Sequence, residues 1–402
     1  MITARELNRA TLSRQLLLER APLSVTDAVR RVVALQAQHP ASAYLALWNR
    51  LAGFDPAALD EAFASHRVVR AQLMRVTMHA VHAEDHRAFR EAMDPTLRAS
   101  RLGDPRFRAS GLTVEDALDL TGGLLDFADR PRTGPECEAW LAGRLGAPMP
   151  PLAWRMLRQY APLWHAPTDG PWLFGSRAYV AARPRPVLAD PDVSGLALQT
   201  LVRRYLEGFG PASIADMAQF AMVQRAWAKA AVQALGGSLC QLEGPDGTVL
   251  YDVPGASLPD GDTPAPPRLM AMWDSILLAY ADRGRLMPPG YRRIVTRTNG
   301  DVLPTLLVDG YVAGVWRAVP DGIEATAFHA LPGLVWEGLA AEARALVPLL
   351  AAREPEVYGR YHHWWDKMAG ARLPDAQTRM LPGPLHLGAV VDIGCCCARV
   401  LD

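Results

Sequence analysis

Three helical stretches, each closed by a two-stranded pattern, precede a strand-rich stretch with strong hairpin turns. This order predicts an α+β protein: three tandem winged-helix units, then a small antiparallel β-barrel with a C-terminal helix. The 402 residues, half of them hydrophobic, are enough for several units of ordinary domain size. The units fall at 1–110, 111–186, 187–256 and 257–375, with a tail at 376–402.

In the first unit, residues 7–19 are amphipathic and form the first helix. Ser24, with Asp27 three residues on, opens a second helix that runs toward Gln36, and Asp55-Pro56 opens a third over 57–65. Residues 68–81 mix β-branched and apolar side chains and read as a strand pair. The second unit repeats the order, with helices at 113–129, 134–145 and 151–162 and a wing at 164–172. The third has helices at 193–208, 211–220 and 223–235, then a hairpin over 238–253 turning at Gly244-Pro245-Asp246-Gly247. A Pro/Gly/Asp-rich linker at 254–267 leads to strands at 292–298, 303–308, 311–319 and 322–330. Asn299-Gly300-Asp301 and Asp309-Gly310 supply the turns between the first three. Residues 336–352 form a helix, and the aperiodic stretch after 375 is expected to be loosely ordered.

Composition excludes several classes. No run of about eighteen apolar residues occurs, and the N-terminus lacks an export pattern, so the expectation is a soluble cytoplasmic protein. Cys137, Cys240 and the consecutive Cys395, Cys396 and Cys397 form neither a disulfide framework nor paired zinc ligands, which fits a reducing compartment. His79, His82, Asp85 and His86, like His362 and His363, lack metal-site spacing, so no metal is expected. No Gly-rich phosphate loop or cofactor box stands out, and no cofactor is expected. The formal charge is zero, but only Lys229 and Lys367 are lysines and the other 40 cations are arginines, the side chain suited to forked phosphate contacts. A GC-rich coding sequence produces the same bias.

The candidate chemistry lies in Leu35-Gln36-Ala37-Gln38-His39-Pro40, at the expected end of the second helix. Helical residues two apart diverge by about 200°. Pro40 disfavours helix at His39, so a tightened or extended turn near Gln38 brings both amides to one side. Two amides can orient a water but cannot act as a strong base. They suit a leaving group that needs little help, such as an N7-alkylated guanine that already carries positive charge. By residue type alone, such a pair is ordinarily a surface or capping feature.

Several segments together resemble the AlkZ/YcaQ family of bacterial DNA glycosylases. They are Gln36-Ala37-Gln38, the wing from Leu73 to His79, the Gly208-Phe209-Gly210-Pro211 turn, the segment from Trp273 to Arg283, and the Asn299-Gly300 and Asp309-Gly310 turns. The resemblance implies a concave DNA-binding surface and gives Gln36 and Gln38 the positioning of the hydrolytic water. It implies DNA contact by Arg75, Thr77 and His79 along the cleft and by Arg292, Arg293, Arg297, Asn299 and Gly300 on a groove-entering hairpin. The two-glutamine version resembles the branch that protects producers of DNA-alkylating antibiotics, which implies duplex DNA bearing bulky alkylpurines as the partner of a monomeric, nucleoid-associated enzyme. Ser275 and Tyr280 stand where the family more often has Asn and His. Two rivals stay open: a non-enzymatic winged-helix regulator or drug-sequestering protein, and a hydrolase built on Asp274 with the glutamines structural.

Overall fold

The computed structural model describes residues 1–150, 152–320, 322–368 and 373–383. Thr3 and Glu6 form a reciprocal cap that starts α1 (Ala4–Arg14), and Ser24 caps α2 (Val25–Arg31) by accepting from the Asp27 N–H. The second helix ends well before Gln36. Val33 adopts a left-handed φ of 72°, and the chain leaves it extended as β1 (Leu35–Gln36). Gln36 therefore lies on a strand and Gln38 in the bend just beyond it, which corrects the helix-end expectation. Next comes α3 (Ala41–Arg50), whose ten residues are all buried. It has no polar face, so the sequence shows no amphipathic period there. Asp55 and Pro56 open α4 (Pro56–Ala64) as expected, and the strand pair at 68–81 is β2 (Val68–Gln72) and β3 (Met78–His82).

α5 (Ala83–Arg101) and the single turn α6 (Pro105–Arg108) lead to α7 (Val114–Phe127). Then follow β4 (Arg132–Thr133), α8 (Gly134–Leu145), α9 (Ala153–Tyr160), β5 (Leu163–His165) and β6 (Ala178–Ala181). The wing expected at 164–172 returns later than its turn residues suggest, because 166–177 forms a loop stitched by Thr168, Asp169 and Gly175. The long α10 (Pro191–Phe209) packs on α5 and precedes α11 (Ile214–Ala221), α12 (Arg225–Leu235) and the hairpin β7 (Cys240–Glu243) and β8 (Val249–Asp252).

After β9 (Arg268–Leu269), the residues expected as the first barrel strand are instead a turn of helix, α13 (Arg292–Val295). Pro288 and Pro289 supply no backbone N–H to a ladder and set up the helical turn. β10 (Thr305–Val308), β11 (Tyr311–Val319) and β12 (Gly322–Ala327) follow, then α14 (Gly333–Arg353), α15 (His363–Met368) and β13 (Gln377–Pro382). The last strand corrects the loosely ordered tail as far as residue 383; Cys395, Cys396 and Cys397 lie outside the described residues.

Three antiparallel sheets result. The first has the order β1-β3-β2-β5-β6-β4, with Arg70 opposite His165 and Ala71 opposite Trp164, so strands on either side of the 110/111 division share one ladder. The second, β13-β12-β11-β10-β9, is open: its edge strands do not pair with each other, and α14 packs against β9, β12 and β13. The expected closed barrel is not formed, since the strand at 292–298 is missing. The third is the β7-β8 hairpin. No helix among the described residues is long and apolar enough to cross a membrane.

Buried ion pairs fasten these pieces. Arg14 grips Asp252 through two bonds of 2.7 Å, and Arg50 grips Asp274 through two of 2.8 Å. Arg9 pairs with Asp309, and Asn8 donates to the Gly310 carbonyl at 2.8 Å. Glycine is needed at 210 and 310: a Cβ on Gly210 would meet Arg14 Nη1 at 2.5 Å, and Gly310 has φ 82° with α1 against it. Both members of the Arg50–Asp274 pair are fully buried. Replacing Asp274 alone with Ala is expected to cost about 3–5 kcal/mol by stranding Arg50, and the double change Arg50→Met/Asp274→Leu is expected to recover most of it. Urea unfolding midpoints of the three proteins check this.

Candidate active site and nucleic-acid interface

Gln36 ends the short strand and Gln38 follows two residues on in a bend, so both amides stand at the end of a strand and not of a helix. Gln36 stands opposite His79 in the ladder, and the Ala37 N–H donates to the Met78 carbonyl at 2.8 Å. On the other edge, the Gln36 N–H donates to the Ser275 hydroxyl at 3.1 Å, and that hydroxyl donates to the Ala34 carbonyl at 2.8 Å. Gln36 is buried at 5% exposure, whereas Gln38 is exposed and accepts the Met78 N–H through Oε1 at 3.3 Å. One amide is therefore held in the wall and the other faces solvent.

The turn between β2 and β3 delivers Arg75. Arg75 and Val76 have φ of 52° and 57°, a costly conformation for the β-branched valine. Arg75 Nη2 donates to Gln36 Oε1 at 2.6 Å and lies 3.1 Å from His79 Nε2. Because a guanidinium only donates, His79 Nε2 accepts and Nδ1 carries the proton toward the Thr77 carbonyl, 3.1 Å away. Burial, then the charge of Arg75, holds His79 well below the ordinary histidine range, so it is neutral. Arg75 packs over the Phe220 ring at 5.4 Å, and its Nη1 is buried without a partner. Burial, then Arg283, lowers its pKa to about 10.

Arg70 closes the backbone side of the motif. Its Nε donates to the Ala37 carbonyl at 3.0 Å and Nη2 to the Gln38 carbonyl at 3.4 Å, with the guanidinium over Phe174 at 4.9 Å. Burial lowers it to about 10 as well. The deeply buried Arg9, Arg14, Arg50, Arg90 and Arg268 all have carboxylate partners. Among the described residues Arg70 and Arg75 have none, and no carboxylate hydrogen-bonds to Gln36 or Gln38. The walls around the glutamines are thus cationic and unneutralised.

The family model for DNA glycosylase AlkZ-like proteins matches residues 29–349. The chain belongs to the AlkZ-like DNA glycosylases. It is 26% identical over 347 residues to an interstrand DNA cross-link repair glycosylase of Streptomyces sahachiroi, covering 79% of this chain and 88% of that relative. Its fold is similar to that of the solved S. sahachiroi DNA glycosylase AlkZ, with a TM-score of 0.73 at 20% identity over 88% of this chain and 97% of the other. Family membership assigns the chain to enzymes that act on DNA.

Within this AlkZ-like fold the other expected residues are dispersed. The Thr77 hydroxyl donates to the Met74 carbonyl at 3.1 Å and serves the turn. Arg292 and Arg293 are exposed on α13, not on a hairpin. Arg297 donates to the Trp364 carbonyl at 3.2 Å and stacks 5.1 Å over its ring. Asn299 bonds Asp301 at 2.9 Å, and the carbonyl of Gly300 accepts from Trp273 Nε1 at 3.2 Å. The expected turn at 299–301 forms and is closed by an antiparallel bridge of Thr296 with Val302, but it is a short loop fastened to two tryptophans and not the tip of a long hairpin. Asp274 is held by Arg50 and also accepts the Ile276 N–H at 3.2 Å, which leaves no free carboxylate there for a base.

Arg70, Phe220 and Arg283 escaped the sequence reading, although an arginine set between Val69 and Ala71 in a buried strand was a visible signal. Arg283 donates to Thr296 Oγ1 at 3.2 Å and is lowered by burial and then by Arg292, so Arg75, Arg283 and Arg292 repel one another in series.

The candidate histidine cluster is divided among separate tasks. His82 accepts the Glu84 N–H at 3.3 Å to start α5, Asp85 pairs with Arg204, and His86 packs edge-on to Trp164. Burial drives His86 down to about 3 and His39 to about 4, and holds His165 well below its usual range. These imidazoles stay neutral in the fold but take up protons when unfolded below about pH 6.5. Their contribution is thus complete above that pH and is lost as pH falls toward the folded values. Both His86 nitrogens lack partners. His86→Leu is expected to reduce the pH dependence of stability between pH 6 and 4 by up to about 1.4 kcal/mol per pH unit, read from urea midpoints across that range.

Proposed function

We propose that the chain hydrolyses the N-glycosidic bond of bulky N7-alkylated guanines in duplex DNA, including interstrand cross-links, and so protects its host from a DNA-alkylating antibiotic. The three helix-then-hairpin segments serve as winged-helix units that carry the duplex, and the enzyme works as a cytoplasmic, nucleoid-associated monomer. The observation that carries the reading is Gln36 at the end of β1 with Gln38 in the bend just beyond it, no carboxylate hydrogen-bonded to either amide among the described residues, and Asp274 consumed by Arg50.

The chemistry matches that donor set. An N7-alkylguanine is already cationic, so the C1′–N9 bond breaks with its electron pair moving to the base, which leaves neutral without prior protonation. Water adds to C1′ and releases its proton to solvent. Gln36 and Gln38 hold that water through carbonyl oxygens, a positioning role that needs no strong base. The usual pair of carboxylates for sugar-bond hydrolysis would be partly redundant here. Covalent catalysis through a lysine is disfavoured by position, since Lys229 lies exposed on α12 and Lys367 packs against Trp364 on α15. Arg292 and Arg293, with the cations behind them, supply phosphate contact.

Gln36→Ala/Gln38→Ala is expected to lower release of N7-alkylguanine from a duplex with one defined adduct by at least about 100-fold while DNA binding is retained. Single-turnover kinetics at fixed salt reads the effect. Undiminished release by the double variant would overturn the site, and binding without release of any adduct by the unaltered protein would favour a regulator or sequestering protein.

A further inference from the structure

We propose that Arg75 is the receptor for one DNA phosphodiester, and that Gln36 holds the guanidinium in the free protein until the phosphate takes it over. The proposal deepens the reading of Gln36 as a water-positioning residue and rests on it. Phosphate engagement and release of the Gln36 carbonyl are then a single event, so the site becomes competent only when the backbone of DNA is seated.

Four observations carry this. First, Arg75 lacks an anion, as Arg70 also does: Arg9, Arg14, Arg50, Arg90 and Arg268 each meet a carboxylate, whereas Arg75 meets a neutral amide, a neutral imidazole and the Phe220 ring. Second, its Nη1 is buried with no partner, so the forked face that matches a phosphate is half used. Third, Arg283 donates to Thr296 Oγ1 just beyond α13, so the cations near Gln36 continue toward the exposed Arg292. Fourth, Arg75 and Val76 hold left-handed backbone, a turn that sets the root of the Arg75 side chain beside Gln36 and His79.

The resting arrangement is also poorly suited to glycosidic hydrolysis. With Oε1 accepting from a cation at 2.6 Å, Gln36 is a weakened acceptor for a water proton. A bare guanidinium beside the sugar opposes the positive charge that develops at C1′. A phosphodiester oxygen removes both obstacles, because it neutralises Arg75 through charge-assisted bonds and returns the Gln36 carbonyl to the water. Phosphate and Gln36 compete for one donor group, and competition has a thermodynamic signature that does not depend on catalysis.

The test measures affinity for a duplex with a single tetrahydrofuran abasic-site analogue, carrying either natural phosphates or one neutral methylphosphonate moved through the positions flanking the analogue. The wild type is expected to lose about tenfold in affinity at one position. Arg75→Met is expected to lose a similar factor on the natural duplex and to be indifferent to the methylphosphonate there. Gln36→Ala, which removes the competitor, is expected to bind the natural duplex about threefold more tightly and to gain nothing on the methylphosphonate duplex. Arg75→Gln, checked by thermal melting alongside Arg75→Met, also removes the charge and is expected to be equally indifferent to the methylphosphonate; it stands in if the methionine variant does not fold. The proposal is overturned if the Arg75 variants and the wild type respond alike at every position, or if Gln36→Ala leaves affinity unchanged. Coupling without any base release would leave the phosphate site standing and remove the glycosylase reading; base release without coupling would do the reverse.

Discussion

The glutamine strand is fixed by a contact that none of its own residues makes. Arg50, the last residue of α3, and Asp274 form a bidentate pair with both side chains out of water. Two charges buried in this way tolerate little displacement, since either one alone would be stranded. Asp274 is followed by Ser275, whose hydroxyl accepts from the Gln36 backbone and donates to Ala34. Arg50 also reaches Gln15, whose amide holds the carbonyl of Gly208. One ion pair thus fixes α3, the end of α10, the 273–278 turn and the strand that carries Gln36. Trp273, at φ 56°, makes the corner that allows Asp274 to face inward.

Formal neutrality conceals two populations of arginine. One is internal bracing, paired with aspartate or glutamate, and it holds segments distant in sequence together: Arg14 with Asp252, Arg20 and Arg268 with Glu342, Arg353 with Asp60. The other gathers at the glutamine strand without matching acids. Overall charge therefore says little about where a polyanion would settle, because the bracing carboxylates cancel cations that no ligand can reach. A separate hollow of about 460 Å³ between α5, α10 and α12, lined by Trp227 and small residues, has no charge and plays no part in this partition.

Local signals were legible where they were strong and self-contained. Ser24, Asp55 and Pro56 marked helix starts correctly, and the turn residues Asp309-Gly310 marked a real hairpin. What depended on tertiary context was not. α3 is buried on all sides, so its sequence carries no period; β1 is two residues long and exists because β3 and Ser275 pair with it. β13 buries only Leu381 and is held by backbone bonds to β12, which leave no pattern in side-chain type. At Arg292–Val295, apolar and β-branched residues suggested a strand, and the prolines just before them settled the matter as helix. The glutamine pair was found for its chemistry, while its neighbours Arg70 and Phe220 come from segments 34 and 184 residues away in the chain and only the fold brings them in.

The shared ladder of β2 and β5 has a mechanical meaning. Arg70 and Ala71 stand opposite His165 and Trp164 in the ladder, so the hairpin of the first segment and that of the second are parts of a single plate. A plate of six strands resists folding along its middle, because any crease there breaks backbone bonds that have no water to replace them. Two hairpins on separate modules could each swivel to follow a straight double helix. Two hairpins on one plate cannot, so they present a single rigid face whose angle is set by the ladder and not by the chain that joins them.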